Sequence, residues 1–407
     1  PRPPAPRRGA AGRYFLRAAV RIRDLTKDKN MKNYRLFTSE SVTEGHPDKV
    51  CDLIADSILD AALAADPFSR VAAEVCTTTD FIMVFGEMTS AADIDIEAIA
   101  RKTALSIGYD SREKGLDARA CKLEVRMDRQ SPDIGESVTR SLESREGGAD
   151  GMEELGAGDQ GMMFGYACTE TEELMPLSAV LSHKLTAKLA EVRKSGLLPY
   201  LRPDGKAQVT VAYDGARPVR ADTVVLSAQH DESVTRSRLV EDLKKYVIDP
   251  VVSAYADGDT KYLVNPSGRF VIGGPEGDSG VTGRKIVVDT YGGVIPHGGG
   301  AFSGKDPTKV DRSASYYARY VCKNMVAAGA ADRLELQVAY AIGKANPVSL
   351  AVDSFGTGRA GDDKLLDIVK KLFDFRPGAI IKQLDLRRPI YSATTDYGHF
   401  AKRGLPW

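Results

Sequence analysis

The chain has 407 residues, more than one ordinary core organises, so two or three domains are expected. Lys plus Arg and Asp plus Glu each number 56, which argues against a general nucleic-acid or polybasic membrane binder, and no apolar run is long enough to span a bilayer. Five scattered cysteines without a CxxC pair and five histidines without metal-ligand spacing weigh against a disulfide framework, a zinc site or a non-haem iron site; they suit a reducing, cytoplasmic setting and leave an oxygen-liganded cation open.

Residues 1–30 are rich in Arg and Pro, with Asp24 their first acidic residue, and precede Met31. Lacking the Ser enrichment of a transit peptide, they read as a disordered or non-native extension. Pro47 then opens a helical pattern carrying Val50, Ile54 and Ile58; strands are expected at 71–76 and 81–88 and a helix at 94–107. Residues 137–158 are polar and Gly/Glu-rich, the composition of a mobile loop, and long loops in compact proteins are often lids. Pro176 opens a second unit with a helix at 177–193, strands at 208–213 and 223–228, and a helix at 233–247. Pro307 opens a third, with a helix at 308–328, strands at 334–342 and 349–354, and a helix at 364–373.

The three prolines are roughly 130 residues apart, the mark of an internal repeat. Each unit reads helix, two antiparallel strands, helix. The expected fold is therefore α+β: three similar domains in a pseudo-threefold arrangement, each a mainly antiparallel sheet with helices on one face. The expected divisions are 34–133 for an N-terminal domain, 134–154 for a mobile gate loop and linker, 155–272 for a central domain and 273–401 for a C-terminal domain.

Four segments hold residues that do chemistry. Gly298-Gly-Gly-Ala-Phe-Ser-Gly-Lys-Asp306 is a near match to a phosphate loop. Its glycines allow close backbone approach to phosphate oxygens and Lys305 adds a cation, with Lys309 four residues on. Asp306, however, stands where a P-loop needs Ser or Thr, and is expected to cap a helix starting at Pro307. Glu44-Gly-His-Pro-Asp-Lys49 puts His46 before a helix start and Asp48 in its first turn. Asp48, Asp52, Asp56 and Asp60 recur every four residues on one helix face, and like charges there repel; a cation or catalytic role suits Asp48, and a solvated acidic face suits Asp60. Gly273-Gly-Pro-Glu-Gly-Asp-Ser-Gly-Val-Thr-Gly-Arg-Lys285 offers Asp278 for a cation or amine and Arg284 and Lys285 for phosphates, and Phe270 ahead of it a face for a base. Gly156-Ala-Gly-Asp-Gln-Gly161 repeats its Gly-Asp-x-Gly pattern. A P-loop kinase or ligase, and a non-catalytic subunit of the same fold, are the alternatives; the Asp at 306 counts against the first, and the presence of His46, Asp48, Lys305 and Asp311 against the second.

Gly156–Gly165 and Gly298–Asp306 resemble the two signature segments of S-adenosylmethionine synthetases, and Thr38–Lys49, Arg269–Pro275 and Asp396–Phe400 resemble further segments of that family, in the same order, over about Tyr34 to Trp407. The resemblance implies synthesis of S-adenosylmethionine by attack of methionine sulfur on C5′ of ATP, with hydrolysis of the released triphosphate to diphosphate and phosphate. It implies two Mg²⁺, held by Asp48 and Asp311, and one K⁺, held by Glu74. His46, Arg284, Lys285 and Lys305 are the implied catalytic residues. ATP contacts are implied for His46, Asp159, Asp204, Lys206, Arg269, Phe270, Asp278, Arg284, Lys285, Ala301 and Lys305, and methionine contacts for Glu87, Gln130, Asp278 and Lys309. The implied assembly is a homodimer with shared active sites, paired into a homotetramer, with no nucleic-acid or membrane partner.

Overall fold

Residues 34–91, 93–129, 140–147 and 151–407 are described by the structure, a computed structural model. The expected extension over 1–30, Gln130 and residues 134–139 and 148–150 of the 134–154 gate lie outside the described residues.

The repeat expected from the prolines is present as strand, helix, hairpin, helix, three times over. The first copy holds β1 (Arg35–Val42), α1 (Pro47–Ala65), the hairpin β2 (Arg70–Thr78) and β3 (Phe81–Thr89), and α2 (Ile96–Ile107), followed by β4 (Lys122–Asp128). The second holds β5 (Gly161–Cys168), α3 (Leu177–Lys194), β6 (Leu201–Asp214), β7 (Arg217–His230), α4 (Arg236–Leu243) and β8 (Lys261–Val264). The third holds β9 (Gly280–Val281), α5 (Val310–Ala327), β10 (Arg333–Tyr340), β11 (Ser349–Asp353), α6 (Asp362–Leu372) and α7 (Pro377–Gln383).

Three main sheets result, ordered β9-β2-β3-β4, β1-β6-β7-β8 and β11-β10-β5, beside a small two-stranded pairing of Asp110–Ser111 with Leu116–Asp117. The leading strand of each copy does not join its own hairpin. β1 pairs with β6, β5 with β10 and β9 with β2. The exchange is cyclic, so the pseudo-threefold relation is built into strand pairing. Hairpins pair antiparallel, whereas β4 and β8 add parallel edges.

Local sequence explains the elements. Val71, Ala73 and Val75 alternate inward along β2 and meet Val50, Ile54 and Ile58 on the buried face of α1. Full burial of each such aliphatic side chain contributes about 1.5–3 kcal/mol. A separate core lies between α3, α4 and the β6–β7 hairpin, around Leu185, Val209, Val224 and Leu243. β6 and β7 run longer than expected because a register shift between Leu201 and Gly205 absorbs Pro203, which reads as a strand breaker. Only Pro47 holds the first helical position; Pro176 is the cap residue before α3, and α5 starts at Val310, three residues beyond Pro307.

Candidate active site

α1 begins where His46 leaves extended backbone, and the His46 Nδ1 accepts the Asp48 amide at 3.2 Å. That bond leaves Nε2 to carry the proton of the neutral ring. Burial, then the nearby Lys285 and Lys206 ammonium groups, lowers the ring's pKa to about 3. His46 is therefore a neutral hydrogen-bond donor at working pH. Asp48 accepts the Val281 amide at 3.0 Å and the Lys285 ammonium at 2.5 Å, with Arg284 Nε at 3.5 Å. Burial opposes ionisation of Asp48, but those hydrogen bonds outweigh it and hold the carboxyl below the usual range.

The next carboxylates on α1 are also partnered. Asp52 accepts the Gly283 amide at 2.8 Å and lies 3.2 Å from Lys49. Asp56 accepts the Gly304 amide at 2.9 Å and a two-pronged Arg312. Asp60 accepts the Tyr391 and Ser392 amides, each at 2.8 Å, and the Ser392 hydroxyl at 2.6 Å. The solvated acidic face expected for Asp60 is thus corrected: like-charge repulsion along the helix is relieved because each carboxylate is hydrogen-bonded, Asp48 and Asp52 to the 281–283 segment, Asp56 to Gly304 and Arg312 and Asp60 to residues 391 and 392.

Asp204 joins the His46 cluster from β6. Thr43 donates its amide to the Gly205 carbonyl at 2.9 Å and its hydroxyl to the Pro203 carbonyl at 2.8 Å, tying the two segments. Asp204 Oδ2 accepts the Gly274 amide at 3.0 Å, while Oδ1 is buried without a hydrogen-bond partner among the described residues. Burial, offset in part by Gly274 and Lys206, raises this carboxyl to about 6. The Phe270 carbonyl accepts the His230 amide at 3.0 Å, the Phe270 amide donates to His230 Nε2 at 3.2 Å, and the Phe270 ring lies against Gly273. Lys206 and Asp278 are exposed at the rim. Arg269 is not drawn in; it pairs with Glu232 at 2.7 Å on the surface.

The second cluster surrounds Gly298–Asp306. No strand runs into this loop and α5 follows only at Val310, so it is not the strand–loop–helix of a P-loop kinase. Gly304 has φ +79°, and a Cβ there would lie 1.9 Å from the Ala73 carbonyl oxygen, so only glycine fits. The Lys305 ammonium is 2.6 Å from Asp311 Oδ2. Asp306 accepts the Val71 amide at 2.7 Å and the Thr308 amide at 2.9 Å, and pairs with Lys309. It closes a turn before α5 instead of capping the helix, because both its oxygens are taken. Glu74 on β2 is half-buried; burial raises its pKa, Lys305 opposes this, and Asp52 and Glu87 reinforce it. Ala301 meets Gly283, where an added Cβ would be 2.6 Å from its own, so the two clusters touch at these loops. Asp159 is exposed and turns its carboxylate onto the Gln160 amide at 2.7 Å.

Among the described residues no three His, Cys, Asp or Glu side chains gather as a metal cage. Asp48, Asp311 and Glu74 offer carboxylate oxygens without a three-residue cage around any of them among the described residues. That donor set suits a hard cation whose remaining ligands are water and phosphate oxygens. The buried pairs Lys49–Asp289 and Asp56–Arg312 were not legible as site features; the four-residue acidic spacing marked Asp56 alone of the four.

Three family models match the chain in order: the N-terminal domain of S-adenosylmethionine synthetase over residues 34–132, its central domain over 154–270 and its C-terminal domain over 272–407. A relative from Clostridium botulinum named S-adenosylmethionine synthase is 57% identical over 376 residues, covering 92% of this chain and 96% of the relative. One of the same name from Thermus thermophilus is 58% identical over 380 residues, 93% of this chain and 96% of the relative.

Proposed function

The chain belongs to the S-adenosylmethionine synthetase family, and on that premise we propose that it makes S-adenosylmethionine from ATP and L-methionine. The methionine sulfur lone pair forms the bond to C5′ as the C5′–O5′ bond breaks. Triphosphate leaves with the electron pair and is hydrolysed at the same site to diphosphate and phosphate. Sulfur needs no general base, so the protein's contribution is orientation and neutralisation of the leaving charge.

The neutral His46 donates its Nε2 proton as a hydrogen bond toward the departing O5′. Arg284, Lys285 and Lys305 neutralise the phosphates, with Ala301 lining their loop and Lys309 near the methionine end. Phe270 stacks on adenine, Arg269 closes over the nucleoside, and Asp204, Lys206 and Asp159 bind the rest of the nucleotide. Glu87, Gln130 and Asp278 hold methionine. Asp48 and Asp311 would hold two Mg²⁺ and Glu74 one K⁺, cations that lower the charge of the polyphosphate when bound. The proposed assembly is a homodimer whose sites take residues from both copies, paired as a tetramer, in the cytoplasm.

The observation that carries this reading is the His46–Asp48–Lys285 constellation at the start of α1, in which a ring kept neutral by burial and two lysines sits beside a carboxylate kept charged by one of them. The test is incubation of the protein with methionine, ATP, Mg²⁺ and K⁺, read by chromatography and phosphorus NMR. S-adenosylmethionine with both diphosphate and phosphate is expected. ADP as the product, or no methionine-dependent product, would overturn it.

A further inference from the structure

We infer that Asp56 and Arg312, a buried pair assigned no role in the proposed reaction, position Lys305 by clamping the loop on both sides of it. Both side chains are 0% exposed, and the guanidinium meets the carboxylate at 2.6 and 2.9 Å. Two well-packed apolar residues would fill such a place at least as stably. What an apolar pair cannot supply is the set of outward hydrogen bonds. Asp56 Oδ1 accepts the Gly304 amide at 2.9 Å, and Arg312 Nη1 donates to the Lys305 carbonyl at 3.2 Å. Asp56 Oδ2 accepts the Thr395 hydroxyl at 2.8 Å and Arg312 Nη2 donates to the Thr394 hydroxyl at 3.2 Å, which braces the pair from the far side. The backbone bearing Lys305 is thus referred directly to α1, the helix whose start carries His46 and Asp48.

The inference rests on the proposed role of Lys305, and its test separates the two. Arg312→Lys keeps a buried cation for Asp56 but loses the fork that also reaches the Lys305 carbonyl. An Asp56→Leu/Arg312→Met double variant removes both charges together. Thermal unfolding, steady-state kinetics and calorimetric binding of inorganic tripolyphosphate are compared with the parent chain. A positioning role predicts that the double variant still folds, with a single cooperative unfolding transition, although the lost outward hydrogen bonds lower its melting temperature. In both variants kcat should fall by about 10²-fold and tripolyphosphate should bind about tenfold more weakly, with methionine KM little changed. Arg312→Lys with parental kcat and parental tripolyphosphate affinity would show that the pair only balances charge and would overturn the inference. If the parent chain itself makes no S-adenosylmethionine, the functional proposal fails, while the tripolyphosphate measurement still decides the clamp.

Discussion

Lys305 Nζ lies 2.6 Å from Asp311 Oδ2, so the cation expected to meet phosphate and a carboxylate expected to hold Mg²⁺ pair with each other. A polyphosphate–cation ligand of the kind proposed would replace this pair with one partner for each. Lys305→Ala should therefore lose a fixed transition-state charge and also leave Asp311 without its counter-ion. The expected result is a fall in kcat of about 10²-fold or more in steady-state assays. Activity within a few-fold of the parent would mean that the triphosphate lies elsewhere.

The backbone of Phe270 is fixed by two hydrogen bonds to His230, one with its amide and one with its ring Nε2, and the Phe270 ring lies against Gly273. Removing the ring leaves that backbone in place and takes away only the stacking face. Phe270→Ala should raise the KM for ATP roughly tenfold, since base–aromatic stacking contributes about 1–3 kcal/mol per base. The KM for methionine should stay near the parental value. An unchanged ATP KM would remove the adenine-stacking assignment.

Asp60 accepts three hydrogen bonds from Tyr391 and Ser392, two of them from backbone amides that would otherwise lack this partner. Asp60→Ala should destabilise the chain by about 1–3 kcal/mol, read as a lower urea midpoint. Because Asp60 lies at the far end of α1 from His46, kcat per folded molecule should change less than twofold. Parental stability would restore the solvated reading of this residue.

Asp60 also marks where the sequence ceased to be legible. The spacing of Pro47, Pro176 and Pro307, with the apolar alternation of the hairpins, was enough to expect three α+β units, because local periodicity reports the face a segment buries. Strand exchange was not legible: β1 pairs with a hairpin more than 150 residues away, and alternation says which face is inward but not which edge is adjacent. The site showed the same division. Gly-rich loops and their lysines stood out as motifs, whereas Arg312 resembles any helix-borne arginine until its partner Asp56 is brought to it from α1. Asp306 misled for a related reason, since a cap position and a loop tether ask for the same short carboxylate.

Asp396 offers a pH test that is independent of the substrate. Burial raises its folded-state pKa to about 7; the negative charge of Glu44 reinforces that, and Lys49 and Lys402 offset part of it. Its Oδ1 is buried without a hydrogen-bond partner among the described residues. In the unfolded chain this carboxyl titrates near its ordinary value, about 3.9. The folded state therefore binds the proton more tightly, and this group's contribution to stability falls as pH rises from about 4 to about 7. Above that window the penalty is complete. Asp396→Asn, which stays neutral, should therefore be more stable than the parent at pH 8, by up to about 4 kcal/mol at about 1.4 kcal/mol per unit of raised pKa, a value that already contains the attraction of Lys49 and Lys402. The difference between the two proteins should shrink as pH falls and disappear near pH 4, where both carry an uncharged side chain at this position. Urea unfolding of both proteins at several pH values reads this directly. A difference independent of pH would mean that Asp396 is charged throughout in the folded chain, held so by the two lysines despite its burial.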